Sequence, residues 1–179
     1  NAGLLPQIDS LLKALHEAEI EGLQARDYHL TRLGSLLTEL RQQSQTAPLS
    51  AAALADLDLL LTDALLTYGA HLLYGRYGRA ALRPAGLMFD TSQEHIDLVD
   101  VLQQALETNR LAEALQGLLP HHPDYTKPRQ ALARYRQTPC AEAQVRQITR
   151  NMERWRWLPQ DLGQRYILVD VPAYTLYAV

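Results

Sequence analysis

Between Ser50 and Gly75 the chain reads "SAAALADLDLLLTDALLTYGAHLLYG", and from Leu54 to Leu73 apolar residues fall on nearly every face of a helix with 3.6 residues per turn. A helix that is apolar all round cannot lie on a surface. It must be surrounded, so the segment predicts a central core helix, opened by Ser50 as N-cap and ended at Gly75 and Gly78. Any fold for this chain has to supply enough other amphipathic elements to enclose it.

The flanking sequence supplies them. Ile8, Leu11, Leu12, Leu15, Ile20 and Leu23 keep helical spacing after Pro6, with Gly22 as the expected stop. A second helix is expected from Asp27, a plausible N-cap, through Leu30, Leu33, Leu36, Leu37 and Leu40, fading in "RQQSQTAP". After the central segment, "RAALRPAGLMFD" reads as an irregular connection. Helical patterns then resume at about Ser92 with "SQEHIDLVDVLQQALET" and "RLAEALQGLL", with Gly117 and Pro120 as stop signals. A further helix is expected from Thr126 to Gln137, with Pro128 tolerated in its first turn, where an N–H has no helical partner to lose. The last is amphipathic, "AEAQVRQITRNMERWRWLP", with Val145, Ile148, Met152 and Trp155 on one face. Leu and Ala dominate and β-branched residues are sparse, which agrees with a mainly α fold. The expected core includes Leu57, Leu60, Leu61, Leu65, Leu72, Leu106, Leu115, Leu132, Ile148 and Trp155.

After Pro159 the period changes from 3.6 to 2. Tyr166 to Val171 and Tyr174 to Val179 are rich in β-branched and aromatic residues and flank Pro172, which strands accept only at an end, edge or bulge. A lone hairpin is marginal in water and these strands are apolar. The expectation is a multi-helix scaffold over 1–157 and a short C-terminal β-appendage over 158–179 that looks like the first strands of a β-rich domain. Left uncovered, 166–179 would tend to self-associate.

With 179 residues the chain suffices for one ordinary core. A net charge of −3 and a pI near 6.1 argue against nucleic acid as partner. No apolar stretch approaches the roughly 20 residues of a membrane span, so no transmembrane segment is expected. The N-terminus lacks the basic and apolar regions of a signal peptide, so an export signal, if one directs the chain, precedes residue 1. One cysteine, Cys140, precludes an intrachain disulfide and leaves the redox compartment open.

"NMERWRWLP" followed by "LGQRYILVDVPAYTLYAV" resembles the segment that leads into the catalytic domain of the large YcbB-type L,D-transpeptidases, enzymes with a YkuD-type catalytic domain. "LLTDALLTYGAHLLYGR" and "LLPHHPDYTKPRQALARYR", with its L-P-x-x-P-x-Y and L-x-x-Y-R patterns, resemble the helical scaffold of the same family. The resemblance implies a periplasmic, Gram-negative enzyme that joins meso-diaminopimelate residues in 3-3 peptidoglycan cross-links through a Cys acyl-enzyme, with peptidoglycan as partner of the whole protein. Two departures follow. The family's "[S/T]-H-G-C" motif is absent, so this chain alone is expected to be inactive, without catalytic residues or cofactors. The family's inserted peptidoglycan-binding module is also missing near 137–144, where only "QTPCAEAQ" stands between Arg136 and Val145. The alternative reading is a stand-alone helical module that binds other cell-envelope proteins.

Other candidate sites are weighed against structural roles. Cys140 follows Pro139 at a loop-to-helix junction with no His within fifteen residues, so it reads as incidental rather than nucleophilic. His121, His122 and Asp124 lack metal-ligand spacing and read as a structural turn, with Asp124 capping the next helix. No metal site is expected. His71 reads as a hydrogen-bonded core or edge histidine, and Glu17, Glu19 and Glu21 as a solvated surface. Arg154, Trp155, Arg156 and Trp157 stand out: the tryptophans differ by about 200° around a helix, and each arginine can stack on a ring or bind a carboxylate. They form either a structural hinge between scaffold and sheet, or a contact with glycan or stem peptide.

Overall fold

The computed structural model describes residues 7–46, 48–78, 96–159, 164–170 and 174–178. Helix α1 (Gln7–His16) continues into a tighter 3-10 turn, Glu17–Glu21, which Gly22 closes in the left-handed conformation. The next expectation is corrected. Asp27 does not cap the second helix: residues Ala25–Tyr28 form a separate 3-10 turn, His29 adopts a left-handed φ of 54°, and α2 runs Leu30–Gln43. The turn sends Tyr28 fully into the core, and Asp27 pairs with Arg76 at 2.9 Å instead. Burial of one large aromatic side chain outweighs one capping bond.

Helix α3 (Ala51–Tyr74) starts as expected, with the Ser50 hydroxyl accepting the Ala53 N–H at 3.1 Å. Its C-terminal part is enclosed: Ala64, Leu65, Tyr68, Gly69, Leu72 and Leu73 are buried. The helix departs from the expectation of an all-round core helix, since Leu54 and Leu59 near its start are 41% and 68% exposed and Leu66, within the C-terminal part, is also exposed. The elements that pack on α3 include α2 and helix α4 (Leu98–Glu107), whose N-terminus Asp97 caps through the N–H groups of Val99 and Asp100. Gly69 permits the close approach of α4, because a Cβ there would lie 3.1 Å from a methyl of Leu102 and 3.3 Å from one of Leu98. The connection expected over "RAALRPAGLMFD" and the start at Ser92 lie outside the described residues.

Helix α5 (Leu111–Gly117) packs on α1 and α4, and α6 (Thr126–Arg136) forms a helical hairpin with α7 (Glu142–Trp155). Pro128 sits in the first turn of α6, as its missing N–H requires. Of the expected core, Leu57, Leu65, Leu72, Leu115 and Leu132 are buried, while Leu60, Leu61, Leu106, Ile148 and Trp155 are half-buried against it. Strands β1 (Ile167–Asp170) and β2 (Thr175–Ala178) then pair antiparallel, with Ile167 opposite Ala178 and Val169 opposite Leu176. Ile167, Val169, Leu176 and Tyr177 are all exposed. The architecture is mainly α with a C-terminal β-hairpin.

Candidate functional site

The four residues singled out at the end of α7 are divided by a local change of winding. The N–H groups of Arg156, Trp157 and Leu158 bond to the carbonyls of Glu153, Arg154 and Trp155, three residues back, so the last turn is tighter than an α-helix. Arg154 faces solvent. The Trp155 ring lies half-buried and stacks on His122, with centroids 5.0 Å apart and planes inclined by 29°. Trp157 donates its indole N–H to Glu153 Oε1 at 3.2 Å. Arg156 turns inward and is 1% exposed.

Arg156 is the hub of a buried polar network. Its Nη2 donates to the carbonyl oxygen of Glu21 at 2.5 Å and to Tyr125 Oη at 2.9 Å. Tyr125 in turn donates to Glu21 Oε2 at 3.1 Å, and Glu21 Oε1 forms a 2.6 Å ion pair with Arg129 Nε, although that N–H is not directed along the contact. Arg156 Nη1 lies 3.7 Å from Glu153 Oε2. Glu153 Oε1 also accepts the Tyr77 N–H at 3.4 Å. Two carboxylates and two guanidiniums therefore balance, which is the condition for burying them together. Burial raises the Tyr125 pKa well above the phenol range, with Arg156 opposing and Glu21 reinforcing that shift.

The glycine after α3 is part of this construction. Gly75 has φ +77°, which strains any side-chain-bearing residue, and a Cβ on it would displace the Glu153 carboxylate, so glycine lets that carboxylate close over the chain. The network thus ties the ends of α3 and α7 to the 3-10 turn after α1 and to the start of α6. It corrects one reading: Glu21 is not solvated but 4% exposed. The 3-10 winding of Glu17–Glu21 puts residues three apart on one face, which aims Ala18 and Glu21 inward together.

The other candidates have local roles. His71 Nδ1 lies 3.0 Å from Tyr28 Oη and its ring meets the tyrosine edge-on; burial lowers its pKa, helped by Arg76. His121 bonds to the Gly117 carbonyl and His122 accepts the Asp124 N–H at 3.2 Å. His122 therefore caps the 3-10 turn Pro123–Tyr125, and Asp124 does not cap the helix that follows, as the sequence suggested it would, since α6 starts after Tyr125 without a side-chain cap. Asp124 pairs with Lys127 at 2.6 Å, which lowers its pKa. Cys140 is exposed in the α6–α7 turn with φ +58°. Among the described residues no three His, Cys, Asp or Glu side chains gather as metal ligands do.

The junction can hold two helix ends in a fixed relation, a mechanical rather than chemical capability. Sequence reasoning placed Glu21 on the solvated surface and missed Tyr125 and Arg129, whose only sequence signal is that the pattern "PDYTKPR" places an aromatic and an arginine one helical turn apart. A family model described as "Scaffold domain" matches residues 1–132, which reaches into α6. No curated protein and no solved structure matches the chain.

Proposed function

Because this chain belongs to the scaffold-domain family, the N-terminal scaffold of YcbB-type L,D-transpeptidases, we propose that it carries and orients the catalytic domain of such an enzyme. In this reading residues 1–157 are the scaffold and 158–179 begin a YkuD-type sheet, in which β1 and β2 gain further strands. The whole enzyme works in the periplasm and makes 3-3 cross-links between meso-diaminopimelate residues of peptidoglycan. Its nucleophilic Cys lies beyond Val179, so the chain's own contribution is positional.

The observation that carries this reading is the burial of Arg156. It pins the last turn of α7 to Glu21 and Tyr125, so the chain leaves the helical body from a fixed point, followed by a hairpin with exposed apolar side chains. A hairpin of this kind is stable once another layer covers it. Arg154, Trp155, Arg156 and Trp157 are in this reading the hinge, with Arg154 free to reach the next domain. Reading the gene beyond Val179 tests it: a downstream "H-G-C" segment supports a transpeptidase scaffold. A stop codon directly after Val179 sinks it in favour of a stand-alone interaction module.

A further inference from the structure

Where the 3-10 turns of residues 17–28 meet α7 and the end of α6, a groove of about 680 Å³ opens to solvent. Arg26, Arg136, Arg146 and Arg150 line it together with Tyr77, whose side chain is 67% exposed, and with a single carboxylate, Glu19. Glu19 is taken up by Arg136, whose Nη1 bonds to the Glu19 carbonyl and lies 3.6 Å from its carboxylate. Among the described residues the guanidinium groups of Arg26, Arg146 and Arg150 have no hydrogen-bond or ion-pair partner. Arg146 and Arg150 stand one turn apart on α7, where like charges repel and weaken a helix unless an anion lies between them. A chain of net charge −3 thus concentrates unpaired positive charge in one concave place.

The ligand follows from charge, shape and fork geometry. Guanidinium groups take carboxylates in paired, parallel hydrogen bonds. A groove walled by helix and turns suits an extended chain better than a flat bilayer surface. Tyr77 adds an aromatic platform beside the charges. We propose that this groove binds an acidic peptide segment, with carboxylates held by Arg26, Arg146 and Arg150 and the peptide stem resting on Tyr77. The assignment is independent of the transpeptidase reading, since it uses no residue of the Arg156 junction.

The test is calorimetric titration of the full chain with tetraglutamate, at low and at physiological ionic strength. Saturable binding that weakens with salt is expected, with roughly tenfold or greater loss in each of Arg146→Ala and Arg150→Ala. Tetraglutamine should not bind. Arg146→Lys, which keeps the charge but not the fork, should fall between wild type and Arg146→Ala. Arg32→Ala, an exposed arginine of α2 outside the groove, should leave affinity unchanged. All these positions are exposed, and unchanged helical circular dichroism confirms folding. Absence of saturable tetraglutamate binding at low salt overturns the proposal, as does equal weakening by Arg32→Ala. Tighter binding of inorganic tripolyphosphate at the same arginines overturns the choice of a peptide ligand.

Discussion

Replacing Arg156 tests whether the buried network holds the fold or merely occupies it. Arg156→Ala removes two charge-assisted hydrogen bonds, to the Glu21 carbonyl and Tyr125 Oη, each worth about 1.5–3 kcal/mol net. The sum overstates the loss, because Arg156 Nε and Nη1 are buried without hydrogen-bond partners and their desolvation cost disappears with them. Glu21 also keeps Arg129 and Tyr125, so it is not stranded as the partner of a simple broken pair would be. A loss of about 3 kcal/mol is expected, at the low end for breaking a buried ion pair. Urea unfolding of the chain measures it as a lower midpoint at unchanged slope. Arg156→Met, which refills the space of the side-chain stem without charge, should recover part of the loss. A change below about 0.5 kcal/mol in Arg156→Ala, the range of ordinary surface substitutions, would refute the reasoning: the guanidinium would then be dispensable.

Four further outcomes are expected. Gly75→Ala combines a clash with Glu153 and a left-handed φ, and should cost about 1–3 kcal/mol, only part of it recovered by adding Glu153→Ala; a neutral Gly75→Ala in thermal unfolding would contradict the close contact. Leu132→Ala, at a fully buried site, should cost about 2–5 kcal/mol, whereas Leu59→Ala should stay within about 0.5 kcal/mol; the same urea assay ranks them. The lowered pKa of His71 means that the unfolded chain binds the proton more tightly. Its contribution is present above the unfolded value near 6.5 and is lost as pH falls through the lower folded value, so His71→Gln should flatten the pH dependence of unfolding in that acidic window. Finally, the exposed apolar pairs of the hairpin should drive concentration-dependent association in sedimentation, abolished by Val169→Lys with Leu176→Lys; equal association in the double variant would place the contact elsewhere.

The helices were legible in the sequence because their signal is repeated: a stripe such as Val145, Ile148 and Met152 states the same period several times over. Caps state theirs once, and they divide accordingly. Ser50 serves as expected, whereas Asp27 lost to the demand that Tyr28 be buried, and Asp124 pairs with Lys127 while α6 starts without a side-chain cap. Glu21 was misread because a switch from α to 3-10 winding rotates a residue inward without altering the composition. The Arg156 hub was legible only as an oddity of "ERWRW". Its partners sit 135 and 31 residues away in sequence, and one of the accepting groups is a backbone carbonyl that every residue carries.

That choice of partner bears on why a charge is buried there at all. Apolar residues of similar volume often stabilise a fold as well as a buried ionic cluster does, so stability alone gives weak reason to bury Arg156. Apolar contacts, however, are non-directional and tolerate a helix end sliding or rotating by an ångström. Arg156 instead meets a carbonyl and a phenol at fixed distances, while Glu153 on the same turn is closed against Gly75 and the Tyr77 N–H. Sliding α7 along its axis would break both sets together and leave two charges unpaired, a cost that rises steeply with displacement. The junction therefore fixes where the chain leaves the helical body and in which direction, which is what a hairpin must inherit if it is to meet a second layer in register.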